Sequence, residues 1–316
     1  MTGKRLLIHA GFLLLLPLFV AGFGISLPGA LALVVLGLLW RWAISLSTIV
    51  TPAKIPELEL ETISASHFVE KVRWCMDRLG LEYVEKPAGG TLGAFFLGRS
   101  VPVLKFRTGM VRSSIGNSPE ILRYLWGRYT AELGERADFL AADTERLELE
   151  KRIDRCGVDL QVWVYHHILP ERELTLHAWG CHNSAIPYWQ RSALKLLYPM
   201  LRFLIRKAFH ITIARHQKAV MHIDTLLSEV ETRLEHGKCS ILGGDQLNFT
   251  DLAFAAIMGL WLQPDGFGGG MADSVRIEAE RIPPAMQAEI EHWSVTYPRS
   301  TEFVEQLYRT QRQTPG

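Results

Sequence analysis

Apolar residues fill positions 6–23, interrupted by His9, Gly11, Pro17 and Gly22, and resume at once over 25–39. At about 1.5 Å per residue the first run is just long enough for a hydrocarbon core about 30 Å thick. The second run meets Trp40-Arg41-Trp42 before the apolar positions 43–50. That span either ends at an aromatic interface or carries one snorkelling arginine. The link at 24–29 is uncharged and short, which predicts two antiparallel transmembrane helices joined by a tight turn over residues 1–50. Lys4 and Arg5 before the pair and Lys54 after it put both ends on the positive-inside face, so the remaining chain is expected on the cytoplasmic side of a membrane. A cleaved signal peptide competes for the first run but leaves the second unexplained. Pro52 and Pro56 resist helix continuation and mark 51–57 as a linker.

From residue 58 the pattern changes. Positions 58–63 alternate apolar and polar side chains, the period of a half-buried strand, until Ser64-Ala65-Ser66 breaks it. From Phe68, the positions Val69, Val72, Cys75, Met76 and Leu79 recur at helical spacing, and Gly80 supplies a stop. Residues 81–84 suit a second strand parallel to the first, because a helix of about three turns separates them. Val101-Pro102-Val103-Leu104 opens a third strand, with proline where a missing amide hydrogen does least harm. Arg107-Thr108-Gly109 reads as a hairpin turn into a fourth strand from Met110. Ser118-Pro119-Glu120 then starts a helix with a cap, a first-turn proline and an acid at the positive end of its dipole.

Length and charge narrow the function classes. The 316 residues suggest more than one domain, and 34 basic against 33 acidic residues leave a net charge of +1. With 48% hydrophobic and 21% charged residues, that balance argues against a disordered chain and against bulk nucleic-acid binding. Charge is sparse at the front, where Lys4, Arg5 and Arg41 precede the first acid, Glu57. Cys75, Cys156, Cys181 and Cys239 form no C-x-x-C pair, so neither a zinc ribbon nor a disulfide framework is written here.

The order strand-helix-strand, then strand-strand-helix, is the thioredoxin arrangement as glutathione transferases use it, and four motifs sharpen the resemblance. Ser66-His67-Phe68 before Lys71-Val72-Arg73 resembles the family's Ser/Cys-Pro-Phe turn and the basic stretch after it. Gly80-Leu81-Glu82-Tyr83 resembles its Gly-Leu-x-Tyr. Val101-Pro102-Val103-Leu104 resembles its Val-Pro-x-Leu, whose proline is cis. Asn117-Ser118 through Tyr124-Leu125 resembles its Asp/Glu-Ser helix start. Farther on, Leu242-Gly243-Gly244-Asp245 with Asn248-Phe249-Thr250-Asp251-Leu252 resembles a buried helix start of its all-helical domain. Independently of the family, Asn248 suits an N-cap that Asp251 answers, with Leu247 stapled to Leu252.

The resemblance implies an α+β fold: a thioredoxin-like glutathione-binding domain at 58–128 and an all-α domain at 129–316, behind the membrane hairpin. It implies glutathione as co-substrate, no metal, a hydrophobic electrophile as second substrate, and a homodimer. Ser66 takes the place of the thiolate-stabilising Ser; Val101, Pro102 and Val103 would bind the peptide part of glutathione, and Ser118 its γ-glutamyl carboxylate. Two positions depart from the pattern. His67 stands where proline is usual, and is expected to face solvent or to assist deprotonation. Asn117 replaces the acid that pairs with the ligand's ammonium group. Trp163, His167 and Trp179, with Trp189, are the candidates for the electrophile pocket. A non-catalytic membrane scaffold of the same fold and a glutathione-dependent peroxidase remain the alternatives.

Three further signals are weaker. His177, Cys181 and His182, with His166 or His167, fall short of a closed metal site and read as a structural cluster. Gly266 to Gly270 reads as a surface loop. Residues 194–210 carry Lys195, Arg202, Arg206 and Lys207 among leucines, which suits a core-packed helix with solvated basic residues or an amphipathic helix on anionic lipid.

Overall fold

The computed structural model describes residues 22, 24, 26–50, 56–88, 101–108, 111–235 and 237–312. The chain divides into two compact units, one of Met1–Glu57 with Phe106–Ser113, the other of Leu58–Lys105 with Ser114–Gly316. In the first unit, helix α1 (Leu27–Val50) continues unbroken through Arg41. Its surface is apolar: Leu33, Leu36, Trp40 and Trp42 are all more than half exposed. Its described side chains are those of 27–43 and Leu46, and among the described residues no helix is long and apolar enough to cross a membrane. The first expected membrane helix and most of the linker lie outside the described residues.

The strands form a mixed four-stranded sheet in the order β2-β1-β3-β4. Its strands are β1 (Glu57–Thr62), β2 (Tyr83–Pro87), β3 (Val103–Thr108) and β4 (Val111–Gly116). β1 buries Leu58, Leu60 and Thr62, the alternation its sequence carries. It pairs in parallel with β2, Leu58 opposite Tyr83 and Thr62 opposite Pro87. β2 begins two residues later than expected because the helix cap uses the intervening chain. Gly80 adopts φ 70°, a left-handed conformation, while the Leu81 N–H bonds Met76 O at 3.1 Å.

Helix α2 (His67–Leu79) joins β1 to β2 and is buried over most of its length, including Glu70, Lys71 and Arg73. These charges persist inside because each has a partner. Lys71 Nζ lies 2.8 Å from both Glu150 and Asp154, and Arg73 forks onto Glu85 at 2.9 and 2.6 Å while also bonding Glu70.

Helix α3 (Ser118–Leu133) follows the sheet, and the remaining main helices are α4 (Thr144–Ile168), α5 (Arg172–Ala178), α6 (Tyr188–Ala208), α7 (Ile213–Arg233), α8 (Phe249–Leu262), α9 (Pro284–Thr296) and α10 (Pro298–Gln311). α8 is the apolar centre, packed on α2, α4 and α10, and buried from Phe249 to Gly259. Its start is the expected capping box: Asn248 Oδ1 accepts from the Thr250 N–H and Asp251 Oδ2 from the Asn248 N–H, at 2.9 and 2.8 Å. Asp251 also accepts from the Ile241 N–H at 2.8 Å.

Two local expectations are corrected. The glycine run is not a surface loop: Gly268 and Gly269 are buried at φ 70° and 62°, and a Cβ on Gly269 would lie 2.6 Å from the Arg312 guanidinium. Helix α6 has the expected core face of Leu194, Tyr198, Leu201 and Ile205, but its outward face is not simply basic. Trp189, Leu196 and Phe203 stand there 66%, 80% and 63% exposed.

Candidate functional site

A cavity of about 530 Å³ opens between the start of α2, the β3 entrance, the start of α3 and the helices α4 and α6. Ser66 is the N-cap of α2, where its Oγ accepts from the Val69 N–H at 3.4 Å. A hydroxyl that accepts at a cap still has its own hydrogen to donate toward the cavity. Val101 and Pro102 line the cavity across a cis peptide bond, immediately before β3.

The start of α3 differs in detail from the expected cap. Asn117, not Ser118, is the N-cap, at φ 71° and with no side-chain capping bond, and it is exposed. Asparagine adopts a positive φ more readily than most residues that carry a side chain. Ser118 is the first helical residue; it is 1% exposed, yet its Oγ has no hydrogen-bond partner. Two helix N-termini, at Ser66 and Ser118, therefore converge on one cavity, each presenting the positive end of its dipole.

His67 is neither solvent-facing nor a base. It is 2% exposed, its ring lies 4.3 Å from that of Phe68, and Nε2 donates to the Gly157 carbonyl of α4 at 3.0 Å. Burial pulls its pKa down to about 3, against that hydrogen bond, so the imidazole is neutral at physiological pH. Gly157 permits the approach, because a Cβ there would lie 2.8 Å from Phe68.

The far wall is mostly apolar and comes from one stripe of α4, Val158, Gln161, Tyr165 and Ile168, with Trp179 and Phe209. Tyr165 was not legible as a site residue, although its place three and four positions from its neighbours is helical spacing. Burial pushes its phenol up to about 12, with the Trp179 indole pulling the other way, so it can donate a hydrogen bond but is not ionised. Among the described residues lining the cavity there is no cysteine and no charged side chain. Cys75, Cys156 and Cys181 are buried elsewhere, and burial pushes the Cys75 thiol up to about 12.

Of the expected site residues, Ser66, Val101, Pro102, Asn117, Ser118 and Trp179 line this cavity, and the others do not. Val103 enters the sheet as the first residue of β3. Trp163 and His167 lie on another face of α4, where both bond Glu289 of α9, and Trp163 packs 5.0 Å from Trp293. Trp189 points outward from α6. His177 bonds the Arg276 carbonyl at 2.8 Å, in keeping with a structural role for its cluster.

No family model and no curated protein matches the chain. Solved structures similar to it include glutathione S-transferases. One from Methylobacterium radiotolerans, in complex with glutathione sulfonate, shares 15% identity at a TM-score of 0.48, over 81% of this chain and 92% of that one. One from Methylobacillus flagellatus, with glutathione bound, shares 13% at 0.45, over 80% and 95%. FzlA from C. crescentus shares 14% at 0.41, over 78% and 91%.

Proposed function

We propose that the chain is a membrane-anchored glutathione-transferase-like protein that adds the thiolate of glutathione to a hydrophobic electrophile. The observation that carries this reading is the convergence of Ser66, cis-Pro102 and the unpartnered Ser118 hydroxyl on one cavity with a mostly apolar far wall. A free thiol with a pKa of about 8.5 is mostly protonated at neutral pH, so conjugation needs a donor that favours the thiolate. The Ser66 hydroxyl and the α2 N-terminus supply one. The carboxylate of the γ-glutamyl group would sit against Ser118 and the first amides of α3, and Val101 would present its backbone to the peptide. The electrophile would lie against Tyr165, Trp179 and Phe209, with the Tyr165 phenol as a hydrogen-bond donor to developing negative charge.

Membrane residence rests on the apolar surface of α1 and the two apolar runs of the sequence. With Lys4, Arg5 and Lys54 flanking them, the soluble unit would face the cytoplasm. The outward Trp189, Leu196 and Phe203 of α6 would rest on anionic lipid, because residues 174–223 contain seven Lys or Arg and no acid. A bilayer would concentrate a lipid-soluble electrophile beside the cavity.

Glutathione titrated into the purified full-length chain, followed by a conjugation assay with a hydrophobic chloronitrobenzene, tests the reading. Binding with turnover supports it. Asn117, and the lack of a charged side chain among the described residues that line the cavity, favour a second reading, a non-catalytic scaffold of the same fold. A well-folded chain that does not bind glutathione selects that reading.

A further inference from the structure

On the face of α4 opposite the cavity, three helices bring two imidazoles and a carboxylate to one point. His167 lies near the end of α4, His216 in the first turn of α7, and Glu289 in the middle of α9. His167 Nε2 is 2.9 Å from Glu289 Oε2, and His216 Nε2 is 3.4 Å from the same oxygen. The three ligand atoms lie within 4.8 Å of one another. Both histidines are 8% exposed. His216 Nε2 is buried and makes no hydrogen bond, although it ends beside the carboxylate. An aromatic histidine nitrogen left this way is costly unless something else occupies its lone pair.

We propose that His167, His216 and Glu289 form a binding site for a divalent transition-metal ion of the zinc type, with water in the fourth position. Zinc bonds to histidine nitrogen and carboxylate oxygen are about 2.0–2.2 Å, which sets the edge of a tetrahedron near 3.3 Å. The two measured edges, 2.9 and 3.4 Å, bracket that value. Two imidazoles and one carboxylate suit a borderline divalent ion better than the hard cations calcium and magnesium, which take oxygen ligands.

The surroundings fit the role. Trp163 Nε1 donates to the same Glu289 oxygen, Oε2, at 2.5 Å, which fixes the carboxylate's orientation toward the two imidazoles. The ring of His166 stacks on that of His216, centroids 4.0 Å apart, and limits its rotation. The Glu289 side chain is 27% exposed, which gives an ion a path from solvent. The bound ion would tie α4, α7 and α9 together behind the helix that walls the cavity. This inference does not depend on the glutathione reading.

The test uses the full-length chain, stripped with a chelator and titrated with Co²⁺ and then Zn²⁺. One Co²⁺ per chain, with the visible bands of four-coordinate cobalt that Zn²⁺ then abolishes, is the expected result. Trp163→Phe should weaken binding about 10-fold, and His216→Asn or Glu289→Gln about 100-fold or more. Cys239→Ser, which removes the exposed thiol, should leave it unchanged. A zinc-dependent rise in the Tm of the wild-type chain needs no variant and should vanish in Glu289→Gln. No stoichiometric binding in the wild type, or equal affinity in His216→Asn and Glu289→Gln, overturns the proposal.

Discussion

Arg312, the residue that ends α10, sets its Nε 2.7 Å from a carboxylate oxygen of Glu70, 242 positions earlier on α2. Both side chains are buried, and Arg312 Nη1 also reaches Asp77 at 2.7 Å. With the Trp74 indole bonded to the Gln311 carbonyl, this pair fastens α10 across the helix that carries Ser66 at its start. Removing one partner of a buried pair leaves an uncompensated charge. Arg312→Met should therefore destabilise the protein by about 3–5 kcal/mol, read by urea unfolding. Adding Asp77→Asn should cost less than the sum of the two single changes, because Asp77 is the carboxylate left without an ion-pair partner, whereas Glu70 keeps Arg73.

His67 makes stability depend on pH in a defined window. Its folded pKa is about 3 and its unfolded value is the ordinary 6.5. Below pH 6.5 the unfolded chain takes up a proton that the folded chain refuses, so stability falls as pH falls toward 3; above pH 6.5 this group contributes no dependence. Between pH 7 and pH 5 the loss should be about 2 kcal/mol relative to a His67→Asn variant. Parallel unfolding curves of the two proteins check it, and equal slopes with pH would contradict the assignment. Conjugation, for the same reason, should show no inflection that His67→Asn removes.

The two serines of the cavity should separate cleanly. Ser66 caps α2, so Ser66→Ala should cost about 1 kcal/mol of stability and most of the turnover at pH 7 while leaving glutathione affinity nearly intact. The Ser118 hydroxyl bonds nothing within the protein, so Ser118→Ala should leave stability unchanged or slightly raised. It should weaken glutathione binding about 10-fold, the value of a hydrogen bond to a carboxylate. Calorimetric titration and melting curves on both variants distinguish the roles. A stability loss without an affinity loss in Ser118→Ala would remove it from the site.

What was legible in the sequence was chiefly local. Ser66 and Gly80 bracket α2 because a cap and a left-handed stop act within one turn. Asn248 and Asp251 likewise close on each other across three residues. The α4 wall was not legible, because that helix carries two stripes at helical spacing. Residues 158, 161, 165 and 168 face the cavity, while Trp163 and His167 face Glu289, which lies 126 and 122 positions farther on in a helix with no distinguishing signal. His67 was misjudged for the same kind of reason: its burial depends on Gly157, 90 positions away, whose missing side chain lets α2 and α4 close together.

The outward face of α6 carries the last prediction. Trp189, Leu196 and Phe203 follow one another at seven-residue intervals and so share a stripe, opposite the buried Leu194, Tyr198, Leu201 and Ile205. A soluble surface would place polar groups there; a helix in the plane of an interface places aromatic and aliphatic ones, with basic residues alongside. Each Lys or Arg near an anionic surface adds about 1 kcal/mol, so the contact should weaken in neutral lipid. In nanodiscs containing brominated lipid, the full-length chain should show quenched tryptophan emission, and Trp189→Phe should remove the share of one of its nine tryptophans. That share should be larger in anionic than in neutral bilayers. Quenching unchanged by Trp189→Phe in anionic bilayers would place the stripe away from lipid and leave membrane contact to the N-terminal apolar runs.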